Sequence, residues 1–128
     1  MKRLFALILI VAVVAALCGC SRVRISEDRP VTLVFRCGDT SVEEPLTDAE
    51  AAQVIEIFEG KALSFDNPSC GFTADVSLRV GGHIFCPACD QCRIVMDLTS
   101  LRYFSLTQAE RDVIESIFAA HGGYFPCI

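Results

Sequence analysis

Three cysteines in the stretch FCPACDQC, Cys86, Cys89 and Cys92, are separated from one another by two residues each. Thiols at this spacing can do three kinds of chemistry. They can exchange disulfides as a redox-active dithiol, ligate a metal ion or an iron–sulfur cluster, or form structural bridges with other cysteines. The spacing fits all three, so the choice depends on the compartment and on the elements that position the thiols.

The beginning of the chain has the layout of a secretory signal. Lys2 and Arg3 supply a positive start, and an uncharged apolar run follows at residues 4–17. A membrane-spanning helix needs about 20 apolar residues, and this run is shorter. The pattern therefore predicts an export signal that is removed, not a membrane anchor.

Leu17-Cys18-Gly19-Cys20 resembles the lipobox of bacterial lipoproteins. The resemblance implies cleavage before Cys20 and attachment of diacylglycerol and palmitate-type acyl chains to Cys20. Cys18 stands where Ala or Ser is commoner, but a cut before Cys18 would directly follow the bulky Leu17. The resemblance places the protein in the cell membrane or outer membrane, held by its lipid and facing the periplasm or the cell exterior.

We accordingly divide the chain into a lipoprotein signal peptide (1–19), a lipid-anchored tether (20–29) and a single domain (30–128). Loss of Lys2 and Arg3 leaves 9 basic side chains against 16 acidic ones, a formal charge of −7. Such a surface argues against binding nucleic acid and against adhesion to anionic headgroups. Contact with the membrane is therefore expected through the lipid on Cys20.

Residues 30–128 are expected to form one α+β domain, an antiparallel sheet of four to five strands with two amphipathic helices packed on one face and stapled by disulfides. The segment 38–45, GDTSVEEP, is predicted to be a polar loop. Runs of β-branched, aromatic or alternating apolar residues predict strands at 31–37, 72–80, 83–86 and 93–98.

The two predicted helices begin alike. Each has a Leu-Thr pair and a capping box, Thr47 with Glu50 and Thr107 with Glu110, and each ends at glycine. The similarity of LTDAEAAQVIEIF to LTQAERDVIESIF fits a duplicated strand–helix unit, and it also fits a helix start that is simply common.

An even number of cysteines in an exported chain favours disulfides. If the duplication is real, corresponding cysteines should pair alike, as Cys37 with Cys70 and Cys92 with Cys127, leaving Cys86 with Cys89. The structural disulfide candidates beyond the lipidated Cys20 are Cys37, Cys70, Cys86, Cys89, Cys92 and Cys127.

Two other interpretations of the cysteines, a redox-active dithiol and a metal site, compete with structural disulfides. Cys86-Pro87-Ala88-Cys89 resembles the CxxC of thioredoxin-like oxidoreductases, but there the motif opens a helix, whereas DQCRIVMDL here predicts loop and strand. CxxCxxC resembles the first three ligands of a bacterial ferredoxin cluster, yet no fourth cysteine followed by proline is present. A further alternative is a zinc ion held by Cys86, Cys89, Cys92 and a distant thiol. We predict no metal or other cofactor.

The remaining chemistry is sparse. His83 follows Gly81-Gly82, a pair that predicts a hairpin turn, and His121 lies in the last turn of a predicted helix. We expect both histidines to be structural. The motifs CGF, CxxxDxC and GGxFPC resemble those of short exported bacterial proteins of unassigned function. We therefore expect a non-catalytic, lipid-anchored envelope protein that binds an unknown envelope protein or ligand. The alternative is a membrane-tethered thiol–disulfide oxidoreductase using Cys86 and Cys89.

Overall fold

The structure is a computed structural model that describes residues 1–18, 21–26 and 29–128. Its elements alternate between hairpins and helices, which is the order of an α+β domain. In chain order they are α1 (Lys2–Cys18), β1 (Val31–Cys37), β2 (Thr40–Pro45), α2 (Asp48–Phe58), β3 (Val76–Val80), β4 (His83–Pro87), β5 (Ile94–Asp97), β6 (Arg102–Ser105) and α3 (Gln108–Ala120).

The six strands form one antiparallel sheet in the order β2-β1-β3-β4-β5-β6. This confirms the predicted α+β class and the antiparallel sheet. The predicted count of four to five strands is wrong, because the sheet has six.

Sequence analysis predicted no strand at β6 or at β2, and it predicted β2 to be a polar loop. β2 pairs with β1 along its whole length, with Phe35 opposite Val42 and Val34 opposite Glu43. β2 lies at the edge of the sheet and most of its side chains are exposed. An exposed edge strand has no need of a regular apolar alternation, so its sequence looks like that of a loop.

Both capping boxes are confirmed. The Thr47 hydroxyl accepts the Glu50 N–H while the Glu50 carboxylate accepts the Thr47 N–H, and Thr107 and Glu110 repeat the arrangement at α3. Helices α2 and α3 each follow a hairpin. The two hairpins, β1-β2 and β5-β6, occupy opposite edges of the sheet. The similar helix starts therefore have similar surroundings.

The core lies between one face of the sheet and the two helices. Strand pairing places Leu33, Leu78, Phe85 and Phe104 on that face. Phe58 of α2 packs edge-on against Phe85 and Phe104, with ring centroids 5.1 and 5.2 Å apart. Phe118 of α3 packs edge-on against Phe35 on the same face. Edge-to-face contacts at these distances are favourable and rigid.

The opposite face of the sheet is also partly covered. Cys86 pairs with Met96, and Met96 pairs with Tyr103, so all three side chains share this face. The link between α2 and β3 reaches it, because Phe72 lies 5.5 Å from Tyr103 between ring centroids. Cys86 is consequently buried although α2 and α3 pack on the other face of the sheet.

Residues 21–25, which fall within the predicted tether, pack onto the domain. The backbones of Ser21 and Val23 hydrogen-bond residues 60–63, and the side chains of Val23 and Ile25 are buried in the core. Within the described ranges, contacts with the domain therefore extend back to Ser21, ahead of residue 30 where the domain was expected to start.

Helix α1 differs from the other helices in its exposure. Its large apolar side chains from Leu4 to Val14 are each more than half exposed, and none of them belongs to the core. Among the residues that the structure describes, no helix has the length and apolar character needed to cross a membrane.

Candidate functional site

All six cysteines downstream of Cys20 lie at one end of the sheet. Antiparallel pairing brings the end of β1, the start of β3, the end of β4 and the start of β5 to the same edge. The Cys89 N–H donates to the Gly71 carbonyl and the Cys127 N–H donates to the Cys89 carbonyl, which ties three cysteine-bearing segments together. We call this region the cysteine end; its thiols are those of Cys37, Cys70, Cys86, Cys89, Cys92 and Cys127.

One disulfide joins Cys37, the last residue of β1, to Cys127, with 6.3 Å between their Cα atoms. The two long pairings expected from the duplication, Cys37 with Cys70 and Cys92 with Cys127, are therefore wrong. Cys37 is the last residue of its hairpin's first strand, whereas Cys92 precedes the corresponding strand, so the two cysteines are not equivalent in the fold.

The segment after α3 explains this pairing. Phe35 of β1 packs edge-on against both Tyr124 and Phe125, with ring centroids 5.2 and 6.4 Å apart. The Tyr124 hydroxyl also donates to the Cys37 carbonyl. These contacts draw the closing segment of the chain to β1, so that Cys127 meets Cys37.

The CxxC thiols are poorly suited to disulfide exchange. Cys86 lies in β4 and Cys89 follows it, and the next element is a strand rather than a helix. Burial, followed by the neighbouring Cys89 and Asp97, raises the pKa of Cys86 to about 12. Burial and the adjacent Asp90 also raise the pKa of Cys89. Because the thiolate is the nucleophile, both groups are held in the unreactive form.

Cys92 does not share a site with Cys86 and Cys89. Instead it meets Cys70 and Asp90, and the two sulfurs and a carboxylate oxygen all lie within 4.8 Å of one another. Asp90 Oδ1 accepts the Cys92 N–H at 2.8 Å. Hydrogen bonds with Cys70 and Asp90 raise the pKa of Cys92. The three residues are half-buried, so this cluster can be reached from solvent.

Arg111 of α3 positions the loop that carries these cysteines, and sequence analysis missed it. Its side chain is buried, and its Nη2 donates to the carbonyls of Ala88 and Asp90, each at 3.0 Å. Its Nε donates to Glu115, one turn along the helix, and its guanidinium lies 4.6 Å from the Phe125 ring centre. The only signal in the sequence was the spacing of Arg111 and Glu115, which equally suits an exposed ion pair.

Both histidines have structural partners. His83 stacks on Phe85, and its Nδ1 lies 3.1 Å from Asp97 Oδ2. His121 follows α3, with Nδ1 against Glu44 of β2 and Nε2 2.7 Å from Glu50 of α2. His121 therefore joins the end of α3 to the first turn of α2 and to the edge strand.

His121 makes the stability of this junction dependent on pH. The hydrogen bond with Glu44 raises the pKa of His121 and outweighs the opposing effect of burial, with Glu50 adding to the rise. Burial opposes ionisation of Glu50, but hydrogen bonds from Thr47 and His121 leave its pKa below the ordinary value. The ion pair is thus favoured between the titration of the carboxylate and that of the imidazole.

Raising the pH from about 6 to about 8 is expected to lower the free energy of unfolding by about 1 kcal/mol through His121. A raised folded pKa contributes stability that is fully present below the unfolded pKa and is lost as pH rises through the folded value. Urea denaturation at a series of pH values measures this slope. His121→Gln should remove that part of the slope; an identical slope in the variant would show that His121 is not its source.

The cysteine end combines four features. It contains one disulfide, two buried thiols that stay protonated, an arginine that donates to backbone carbonyls, and a cluster of two sulfurs with a carboxylate. This combination supports a structural and ligand-binding region better than a nucleophilic centre. Comparisons with protein-family models, with curated proteins and with solved structures found no match to this chain.

Proposed function

We propose that the protein is a non-catalytic lipoprotein of the bacterial cell envelope. In this proposal, lipid on Cys20 holds the chain in the cell membrane or outer membrane, and the domain faces the periplasm or the exterior and binds another envelope protein or a ligand there. Cys20 itself lies outside the described residues. The proposal rests on the sequence Leu17-Cys18-Gly19-Cys20 together with the separation of α1 from the domain.

The separation of α1 is the observation that carries the proposal. The helix exposes its large apolar side chains from Leu4 to Val14, while the buried core begins with Val23 and Ile25. Cleavage before Cys20 would therefore remove the apolar helix without uncovering the core. A leader that is discarded is expected to make no contacts on which the mature fold depends.

Binding is favoured over catalysis by the state of the reactive side chains. The buried Cys86 thiol has a pKa of about 12, and both ring nitrogens of His83 and of His121 lie within hydrogen-bond distance of oxygen atoms of the protein. A general base or a nucleophile needs a free and suitably activated group. Within the described part of the chain these candidates are used for structure.

Open grooves on the helical side offer room for a partner. One, of about 420 Å³, runs along α3 and is lined by Asp112, Glu115, Tyr124 and Phe125 among others. Its acidic and aromatic lining suits a partner that presents basic and apolar groups. The formal charge of −7 after loss of Lys2 and Arg3 points the same way.

The anchoring is tested by replacing Cys20 with serine in cells that are fed a labelled fatty acid. The wild-type chain is expected to carry the label and to lose residues 1–19, whereas Cys20→Ser should lose at least about 90% of the label and keep its leader, because the thiol is the acylated group. Gel autoradiography and the mass of the intact chain measure the two effects.

Cys18→Ser is the matched control, since it removes the neighbouring thiol and leaves Cys20. It should retain both the label and the cleavage, and serine at that position is common in the lipobox. Undiminished labelling of Cys20→Ser would refute the lipid anchor, as would loss of labelling in Cys18→Ser alone.

A further inference from the structure

The cluster formed by Cys70, Asp90 and Cys92 has the composition of a metal site. Two sulfurs and a carboxylate oxygen lie within 4.8 Å of one another, on two segments far apart in sequence. Cys70 comes from the link between α2 and β3, and the other two residues come from the loop between β4 and β5. We propose that these three residues bind a thiophilic divalent cation of the Zn²⁺ class.

The distances are close to those that such an ion requires. With zinc–sulfur bonds of about 2.3 Å and zinc–oxygen bonds of about 2.0 Å in a tetrahedral site, neighbouring donor atoms are roughly 3.5–3.8 Å apart. Donor atoms already within 4.8 Å of one another need to approach by only about 1 Å to reach this separation.

Hydrogen bonds hold the two segments in place. The Cys89 N–H donates to the Gly71 carbonyl, which ties the residue after Cys70 to the residue before Asp90. Arg111 donates to the carbonyl of Asp90, and Asp90 accepts the N–H of Cys92. Such supporting bonds orient metal ligands and lower the cost of assembling them.

The charge of the Asp90 carboxylate favours binding of a cation over a disulfide between Cys70 and Cys92. A carboxylate beside two thiols opposes the loss of their protons, and within the described part of the chain Asp90 makes no salt bridge that would offset this. A divalent ion reverses the balance: it takes up two thiolates and one carboxylate, releases two protons, and leaves a net charge of −1 on the complex. A disulfide would use the sulfurs alone and leave the Asp90 carboxylate with only its hydrogen bond from the Cys92 N–H.

The site is open on one side. Cys70, Asp90 and Cys92 are half-buried, so an ion can enter from solvent. Three protein ligands leave the fourth tetrahedral position to water or to a group from a partner, which is the arrangement of zinc sites that exchange a ligand. The site is independent of the lipid anchor, because none of its residues belongs to the leader or to the segment that follows it.

Cobalt titration tests the site, because Co²⁺ ligated by thiolates absorbs through sulfur-to-metal charge transfer. The full-length chain is used with Cys18 and Cys20 replaced by serine, so that these two thiols do not compete for the metal. One Co²⁺ per chain is expected to bind and to be displaced by one Zn²⁺. Cys70→Ser and Cys92→Ser should each lower the affinity by roughly 100-fold, and Asp90→Asn by roughly 10-fold.

Cys89→Ala is the matched control, because Cys89 lies next to Asp90 and is outside the cluster. It should retain one Co²⁺ with unchanged affinity, and circular dichroism confirms that each variant is folded. A chain without the charge-transfer band overturns the proposal, and so does a band that survives in Cys70→Ser. A Cys70–Cys92 disulfide in protein alkylated before purification also overturns it, since bonded sulfurs cannot bind as thiolates.

Discussion

Replacing Arg111 with alanine is expected to lower the free energy of unfolding by about 3–5 kcal/mol. The guanidinium is buried, and it satisfies the carbonyls of Ala88 and Asp90. Its removal takes this donor from the buried carbonyl of Ala88 and from the part-buried carbonyl of Asp90, and it also removes the contact with Phe125. A domain of this size has only about 5–15 kcal/mol of stability, so the variant is expected to be largely unfolded in mild denaturant.

Urea denaturation followed by circular dichroism measures the effect, and two variants separate its causes. Arg24→Ala removes an arginine whose side chain is 73% exposed, and it should change stability by no more than about 0.5 kcal/mol. Glu115→Ala removes the ion-pair partner of Arg111 and leaves both carbonyl contacts, so it should cost about 1 kcal/mol. If Arg111→Ala costs no more than Glu115→Ala, the carbonyl contacts are not important for stability.

Loss of the Cys37–Cys127 disulfide is expected to have an effect of similar size. The bond joins residues 90 positions apart, and a loop of that length confers about 4–5 kcal/mol in the chain-entropy model, which is an upper bound. The free energy of unfolding of the variant Cys37→Ala/Cys127→Ala should therefore be about 3–5 kcal/mol lower than that of the oxidised chain. Urea midpoints of the two proteins give the difference.

The single variants make this test specific. Cys37→Ala and Cys127→Ala should each cost about as much as the double variant, because either one already removes the bond. Cys70→Ala is the control and should change stability little when no metal is present. If Cys70→Ala matches the loss seen in Cys37→Ala, Cys70 is the partner of Cys37 in solution and the pairing in the structure is wrong.

Much of the fold could be predicted from local patterns. Thr47 with Glu50 and Thr107 with Glu110 mark the helix starts, because a capping box satisfies backbone groups within a few residues of one another. The apolar alternation that leads into Val76–Val80 and the Gly81-Gly82 turn predict the central hairpin for the same reason. These signals are local, so no knowledge of the tertiary fold is needed.

What could not be predicted depends on contacts between distant residues. The pairing of Cys37 with Cys127 follows from Phe35 packing on Tyr124 and Phe125, which no local pattern reveals. Arg111 looks like any helical arginine until the loop near Ala88 is placed against it. Six cysteines allow fifteen complete pairings, and spacing alone cannot rank them.

The candidate site illustrates the same division. Cys86, Cys89 and Cys92 share one short motif, and the expected disulfide scheme paired Cys86 with Cys89 and Cys92 with Cys127. In the structure, Cys86 belongs to a strand and is buried on the sheet, whereas Cys92 lies beyond its end beside Cys70. The end of β4 falls within the motif and separates Cys86 from Cys92, and the link between α2 and β3 supplies Cys70 as the neighbour of Cys92.

The hydrogen bonds of Ser21 and Val23 to residues 60–63 determine how an anchored domain would sit. With lipid on Cys20, the first bonded residue follows the anchor directly, and one extended residue reaches only about 3.5 Å. The domain would then lie against the lipid headgroups in a largely fixed orientation, because so short a tether would keep it from moving away from the bilayer surface. Any partner would have to come to the bilayer surface to meet it.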